Sequence, residues 1–353
     1  MKIIIAAGGT GGHIYPALTL ANELIKKGHK VSFVGSNSRM EKTVIPNNGF
    51  EFIGLDMKMP VGNILNKVLS LVSMTKAYFI CKKIVKAYDM AIGFGNYISM
   101  PLILAAKDEG LKTVIHEQNS FAGKANKYLD KKVDLVIGSY KENKETFRNS
   151  NTKIIGNPQS YKAFKVKKDP NVLRELGLDP NKKTVVIFMG SLGSQSVNKV
   201  LVEFLNTVDF SYQLIYATGK QNYDNVINSV KPKDNICIKE VINGVEVMTN
   251  STVLVSRAGA TTLSEITAMG MPSILIPSPY VPNNHQYYNA LSLINNEAAL
   301  MVEEKDLTVN TLKSTIEKLL NDDELRNKIE NNARSMGNPL VLDEIIEEIE
   351  KLW

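Results

Sequence analysis

Short apolar, β-branched runs alternate with longer stretches of helical period along the whole chain. The runs predict strands at 2–6, 31–35, 51–54, 89–92, 112–116, 134–138 and 153–155, then at 184–189, 212–217, 235–239, 252–256, 272–276 and 298–302. Strands that are apolar throughout and separated by helices belong in parallel sheets covered on both faces. The pattern also repeats. Ile3-Ile4-Ile5-Ala6-Ala7 runs into Gly8-Gly9-Thr10-Gly11-Gly12, and Val185-Val186-Ile187-Phe188-Met189 runs into Gly190-Ser191-Leu192-Gly193-Ser194. Each opens a new series of alternating elements. The expected fold class is therefore α/β, two Rossmann-like domains with doubly wound parallel sheets. The expected boundary lies at the turn residues Gly156-Asn157-Pro158, giving domains 1–157 and 158–335. Lys162 to Lys168 reads as surface linker, and Asp343 to Trp353 as a charged amphipathic helix with Trp353 as its apolar anchor.

Length agrees with this division, because 353 residues at about 150 per domain favour two domains. Two cysteines, Cys81 and Cys237, build no disulfide framework and point to a reducing compartment. The apolar run Ile3–Ala7 is too short for a signal peptide, and no uninterrupted apolar stretch reaches the roughly 18 residues of a membrane span.

Charge is more telling than composition. Residues 1–157 carry 22 Lys and Arg against 12 Asp and Glu, whereas the remainder carries 20 against 24. The first half is expected to meet an anionic surface. Segment 57–88 has six lysines (Lys58, Lys67, Lys76, Lys82, Lys83, Lys86) and no acidic residue. Its Ile64, Leu65, Val68, Leu69, Val72, Phe79 and Ile80 recur mostly at helical spacing, as in a helix lying on an anionic membrane. No nucleic-acid recognition motif or aromatic platform accompanies the charge, so nucleic acid is not expected as a partner.

The glycine loops carry the candidate chemistry. Four glycines among residues 8–12 exceed what a turn needs, and glycines followed by a helix N-terminus let main-chain amides approach an anion. Neither a dinucleotide fingerprint nor a Walker loop fits. Ile14 stands where the third glycine belongs, and the second strand ends Val34-Gly35-Ser36-Asn37 without an acidic residue for a ribose diol. His13 sits beside any bound anion as a candidate general base, with a helix-capping or packing histidine as the competing reading. In the second half, a buried strand ends at Ser256 and Arg257-Ala258-Gly259-Ala260-Thr261-Thr262 leads into a helix. Amides at Gly259 to Thr262 would face a diphosphate, and Glu265 a ribose diol. The competing reading is a capping box, Thr262-Leu263-Ser264-Glu265, which needs no ligand. The stiff polar loop Pro277 to Gln286 would present His285 and Gln286 to a sugar. His116-Glu117-Gln118-Asn119 and Gly93-Phe94-Gly95-Asn96-Tyr97 close two strands of the first half as further polar sets.

Gly8 to His13, Met40-Glu41, His116 to Asn119, Gly156-Asn157-Pro158, Arg257 to Glu265 and Gln286-Tyr287-Tyr288-Asn289-Ala290 together resemble the MurG family of bacterial glycosyltransferases, over essentially the whole chain. The resemblance implies a GT-B architecture of two domains facing across a cleft, with the C-terminal helix 336–353 packed back on the first. It implies transfer of N-acetylglucosamine from UDP-N-acetylglucosamine to the 4-hydroxyl of the muramoyl sugar of undecaprenyl-diphospho-muramoyl-pentapeptide (lipid I), at the cytoplasmic face of the cell membrane. It places Thr10, Gly11, Gly12 and His13 at the acceptor diphosphate and reaction centre, and Asn119 at the donor sugar. Ser191 would hold donor phosphate, and Ile242 would meet uracil. Ala260 to Glu265 would hold diphosphate and ribose, while Gln286 and His285 would read sugar hydroxyls. His13 is the first candidate base and Glu117 the second; Arg257 is counted among the binding residues. No cofactor is expected, and the absence of a D-x-D pair predicts no essential metal. Three positions depart from the family pattern: Leu192 in the second glycine loop, Gln159-Ser160 where an arginine often follows Gly-Asn-Pro, and His285 where glutamine is common. The rival readings are a UDP-N-acetylglucosamine 2-epimerase of the same architecture, which leaves the basic apolar segment unexplained, and a non-catalytic nucleotide-sugar sensor.

Overall fold

The structure, a computed structural model, describes residues 1–59, 62–190 and 193–353. All thirteen expected strands are present, with ends moved by at most two residues. In the first half they are β1 (Lys2–Ala6), β2 (Lys30–Ser36), β3 (Glu51–Leu55), β4 (Met90–Gly93), β5 (Lys112–Glu117), β6 (Leu135–Gly138) and β7 (Thr152–Ile154). In the second they are β8 (Thr184–Phe188), β9 (Gln213–Ala217), β10 (Ile236–Lys239), β11 (Val253–Ser256), β12 (Ser273–Leu275) and β13 (Leu300–Met301).

The chain forms two compact units, Met1–Gln159 with Leu340–Trp353, and Ser160–Pro339. The first holds a seven-stranded sheet in the order β3-β2-β1-β4-β5-β6-β7, the second a six-stranded sheet in the order β10-β9-β8-β11-β12-β13. Every strand pair is parallel. Ile3, Ile4 and Ile5 of β1 and Val185, Val186 and Ile187 of β8 are wholly buried, as strands covered on both faces require. In each unit the winding reverses beside the first strand, between β1 and β4 and between β8 and β11. Ligands of open α/β sheets bind at the carboxyl ends of the strands at such a point.

The unit boundary falls two residues beyond the expected hinge. Gln159 stays with the first unit, where its Oε1 accepts from Thr19 Oγ1 at 3.0 Å. The returning segment starts at Leu340 rather than residue 336, because Gly337 packs against Thr267 and Phe164 of the second unit. Two sequence readings are corrected. Lys162–Lys168 is not simply linker: Ser160–Lys165 is a helix with Ser160 and Ala163 buried, packed on the helix Ala260–Met269. Trp353 is 70% exposed and anchors nothing. The helix Val341–Glu350 is held instead by Val341, Leu342, Ile345, Ile346 and Ile349.

The helix Ile64–Ile84 inverts the usual pattern. Its buried residues are the small Ser70, Ala77 and Cys81, on one stripe at helical spacing, and it packs on the helix Asn96–Asp108. Its large apolar side chains face outward: Ile64 is 80% exposed, Leu71 66% and Phe79 60%, with Leu65, Val68, Leu69, Val72 and Ile80 beside them. Segment Ile64–Ala87 is long and apolar enough, by length and composition, to cross a membrane. The few lysines within it do not cancel the apolar excess.

Candidate functional site

In the first unit the glycine loop after β1 is pinned from below. Glu41 is fully buried, and its carboxylate accepts from Gly9 N–H and from Ser36 N–H, each at 3.0 Å. A Cβ on Gly8 would stand 2.3 Å from Glu41 Oε1, so Gly8 makes room for that staple. From the start of the helix Asn96–Asp108, Asn96 Nδ2 donates to Gly8 O at 2.6 Å. The helix that follows runs Gly11–Lys26, so Gly11, Gly12 and His13 form its first turn. Thr10 is the N-cap but makes no capping bond with its side chain. Thr10 Oγ1 lies 2.9 Å from His13 Nδ1 instead, which orients the imidazole. The ring lies along Gly95: a Cβ there would stand 3.5 Å from His13 Cδ2 and 3.3 Å from Asn126 Nδ2. Gly95 holds φ at +89°, a backbone region that side chains rarely adopt. One glycine thus brings the loop after β1, the loop after β4 and the helix Lys124–Leu129 together.

Glu117 has a role other than the base that the sequence reading offered. It is buried, and both oxygens are committed. Oε1 accepts from Asn119 N–H and Asn119 Nδ2, Oε2 from Gly123 N–H and Asn126 Nδ2, at 2.9–3.2 Å. Four hydrogen bonds hold the side chain in place and organise the loop after β5. Asn119, which the family resemblance places at the donor sugar, is half-buried and held by this carboxylate. His116 is buried and stacked on Phe94, with ring centroids 5.1 Å apart. Its Nε2 lies 3.0 Å from Gly156 O and its Nδ1 accepts from Gln118 Nε2 at 3.1 Å. A carbonyl only accepts, so the hydrogen sits on Nε2. Burial lowers the His116 pKa to about 4, only partly opposed by the Gly156 carbonyl, and the ring is neutral at pH 7. His116 therefore ties β5 to the chain's exit from the first unit.

In the second unit the helix after β11 spans Ala260–Met269, with Gly259 as N-cap and no capping side chain. This overturns the capping-box reading, since Thr262 lies inside the first turn. A Cβ on Gly259 would meet no atom within 4 Å, so the helix start opens onto free space. Thr261 Oγ1 is buried without a hydrogen-bond partner. Uncapped amides, the positive end of the helix dipole and an orphaned hydroxyl are the features that binding an anion requires. Thr262 and Glu265 are half-buried on the same helix, and Ile242 is half-buried in the loop after β10. Gln286 Oε1 accepts from Ser278 N–H at 2.9 Å, and His285 Nδ1 lies 2.9 Å from Pro282 O, so both side chains brace their own loop. Asn289 Nδ2 donates to Ala258 O, fixing the approach to Gly259.

Arg257 differs most from its sequence reading as a binding residue. Its buried guanidinium donates through Nη1 to Ile276 O at 3.0 Å and through Nη2 to Ser194 Oγ at 2.6 Å, and Nη2 lies 2.6 Å from Glu304 Oε2. It is a clamp between three strand ends. Ser191 lies outside the described residues. Gly193 is required beside it: a Cβ there would stand 2.3 Å from Thr218 O. Sequence reasoning missed Asn126 and Glu304 entirely. It quoted Glu41, Asn96 and Asn289 within motifs without assigning them a task.

Residues 3–137 match the glycosyltransferase family 28 N-terminal domain and residues 184–344 the glycosyltransferase family 28 C-terminal domain. The chain is 38% identical to the UDP-N-acetylglucosamine–N-acetylmuramyl-(pentapeptide) pyrophosphoryl-undecaprenol N-acetylglucosamine transferase of Pediococcus pentosaceus, over 96% of both chains. It is also 38% identical to a transferase of the same name from Bacillus anthracis, over 100% of this chain and 99% of that one. Among solved structures, Acinetobacter baumannii MurG shares the fold with a TM-score of 0.81 and 24% identity over 99% of both chains. A putative UDP-N-acetylglucosamine 2-epimerase from Listeria monocytogenes shares it at 0.72 and 15% identity, over 99% of this chain and 95% of that one. Full-length identity lies with the transferases, and likeness to the epimerase stops at the fold. The chain belongs to the MurG family of glycosyltransferases, within family 28.

Proposed function

We propose that the enzyme transfers N-acetylglucosamine from UDP-N-acetylglucosamine to the 4-hydroxyl of the muramoyl sugar of lipid I, with inversion, giving lipid II. The observation that carries this reading is the uncapped helix start at Ala260, at a topological switch point with an orphaned threonine hydroxyl. The names of the full-length relatives supply the two substrates. The acceptor oxygen bonds to the anomeric carbon while the bond from that carbon to the diphosphate oxygen breaks. UDP leaves with the electron pair, and the hydroxyl proton passes to His13 Nε2. For Nε2 to accept it, Nδ1 carries the ring hydrogen and donates it to Thr10 Oγ1. Negative charge grows on the diphosphate as it leaves, and preorganised amides at Ala260 to Thr262 stabilise it. Glu265 pairs with the ribose diol, and Gln286 and His285 face the sugar.

The outward apolar face of Ile64–Ile84 supports a peripheral site at the cytoplasmic membrane surface, where the lipid-tethered acceptor resides. A contiguous apolar patch of this kind marks an interaction surface. Lys82 and Lys86 lie 3.5 and 3.8 Å from Glu109, so of the six lysines Lys58, Lys67, Lys76 and Lys83 remain for anionic lipid. Leu65→Asn with Phe79→Asn is expected to weaken attachment to anionic vesicles more than neutralising those four lysines does. The function itself is tested with label on the donor sugar. Label must enter an organic-extractable product only when lipid I is present, with or without chelator. Label that stays aqueous as the C2 epimer would establish the epimerase reading, and UDP-sugar binding without UDP release would establish the sensor.

A further inference from the structure

The second glycine loop ends at Ser194, which holds the N-cap position of the helix Gln195–Thr207. A serine there ordinarily accepts from the first-turn amides. This one makes no such bond. Its hydroxyl accepts from Arg257 Nη2 and lies 3.2 Å from Ser196 Oγ. Ser196 donates to Glu304 Oε1, and Glu304 Oε2 closes the ring on Arg257. The Arg257 and Glu304 side chains are only 8% and 10% exposed. Glu304 opens a 3₁₀ turn just after β13, at the edge of the sheet, more than a hundred residues along the chain from Ser194. Buried ion pairs are weak evidence of stability; fixing geometry is their better-attested use. Here the pair fixes Ser194, and the amides that open the helix Gln195–Thr207 are left without a side-chain cap.

We infer that Glu304 is a positioning residue for the donor: through Arg257 it holds Ser194 and the end of the second glycine loop in the geometry that receives the diphosphate of the nucleotide sugar. The inference rests on the donor-site reading above. Glu304 acts through the guanidinium, whose charge it balances, so that main-chain amides rather than Arg257 meet the phosphates.

Glu304→Gln keeps an acceptor for Ser196 but removes the charge opposite Arg257. The donor KM, and the UDP Kd measured by calorimetry, are each expected to rise about tenfold, which corresponds to about 1.4 kcal/mol. kcat should change by less than about threefold, the lipid KM should stay put, and Glu304→Asp should recover most of the loss. Ser194→Ala should weaken UDP in the same direction. The double variant should fall short of the product of the two effects, because both cut one ring. A purely structural role would lower the active fraction, and hence kcat, without moving the UDP Kd. Wild-type UDP affinity in Glu304→Gln, tighter UDP, or multiplicative effects would each overturn the inference. Should Glu304→Gln fail to fold, an unchanged UDP Kd in Ser194→Ala overturns it by itself. Wild-type enzyme that binds no UDP would sink the donor-site reading, and this inference with it.

Discussion

The two units carry glycine loops at the same topological position and hold them with opposite charges. After β1, the loop is stapled by a buried carboxylate, Glu41, which consumes the Gly9 amide. After β8, Ser194 is stapled by a buried guanidinium, Arg257, paired with Glu304. Both arrangements are followed by a helix start without a side-chain cap, at Gly11 and at Gln195. They differ in what they present. The first places a histidine on the first helical turn beside the loop, which suits proton removal. The second presents amides around a charge-balanced pair, which suits a diphosphate.

The largest effect that tests this contrast is loss of the base. His13→Ala should lower kcat by about 10²–10⁴ and leave the UDP Kd unchanged, since the histidine belongs to the first unit. Near-normal turnover in His13→Ala, measured with saturating donor and lipid, would remove that role and erase the chemical difference between the units.

A second contrast concerns pH. His116 is buried and neutral, whereas the second unit's histidine, His285, is half-buried. With a folded pKa of about 4 against an unfolded value near 6.5, the unfolded state binds more protons between those limits. Stability is then fully present above pH 6.5 and falls as the pH drops toward 4, by about 3 kcal/mol in all. Urea unfolding monitored in the first unit at pH 7.5, 6 and 5 should show this slope, and His116→Gln should flatten it. An equal slope in the variant would assign the acid sensitivity elsewhere.

The same contrast governs what the sequence reveals. The thirteen strands were legible because each holds a short β-branched or apolar run between helical stretches, most completely in the central strands β1 and β8, whose isoleucines and valines are wholly buried. The helix start at Ala260 was ambiguous: Thr262-Leu263-Ser264-Glu265 has the spacing of a capping box, and only the position of the first helical residue removes it. Glu304 was hidden because its partners lie 47 and 108 residues away, and no local pattern encodes a contact of that range. Trp353 misled in the other direction, since a terminal tryptophan reads as an anchor although the isoleucines before it already fill the seam.

The finest test crosses the two staples. Glu41→Gln leaves one oxygen as acceptor but turns an amide N–H toward a main-chain N–H, so one of the bonds to Gly9 and Ser36 is lost. A hydrogen bond to a charged group contributes about 1.5–3 kcal/mol, and with the loop partly relaxing the lipid KM is expected to rise about tenfold. UDP affinity should not move, because Glu41 and the donor amides belong to different units. Glu304→Gln is expected to show the converse, a raised donor KM with the lipid KM unchanged. The pair of variants thus separates the two substrates by unit, using the same substitution. If Glu41→Gln moved the donor KM as far as the lipid KM, each loop would no longer belong to one substrate, and the opposite staples would be a difference in construction without a difference in what they bind.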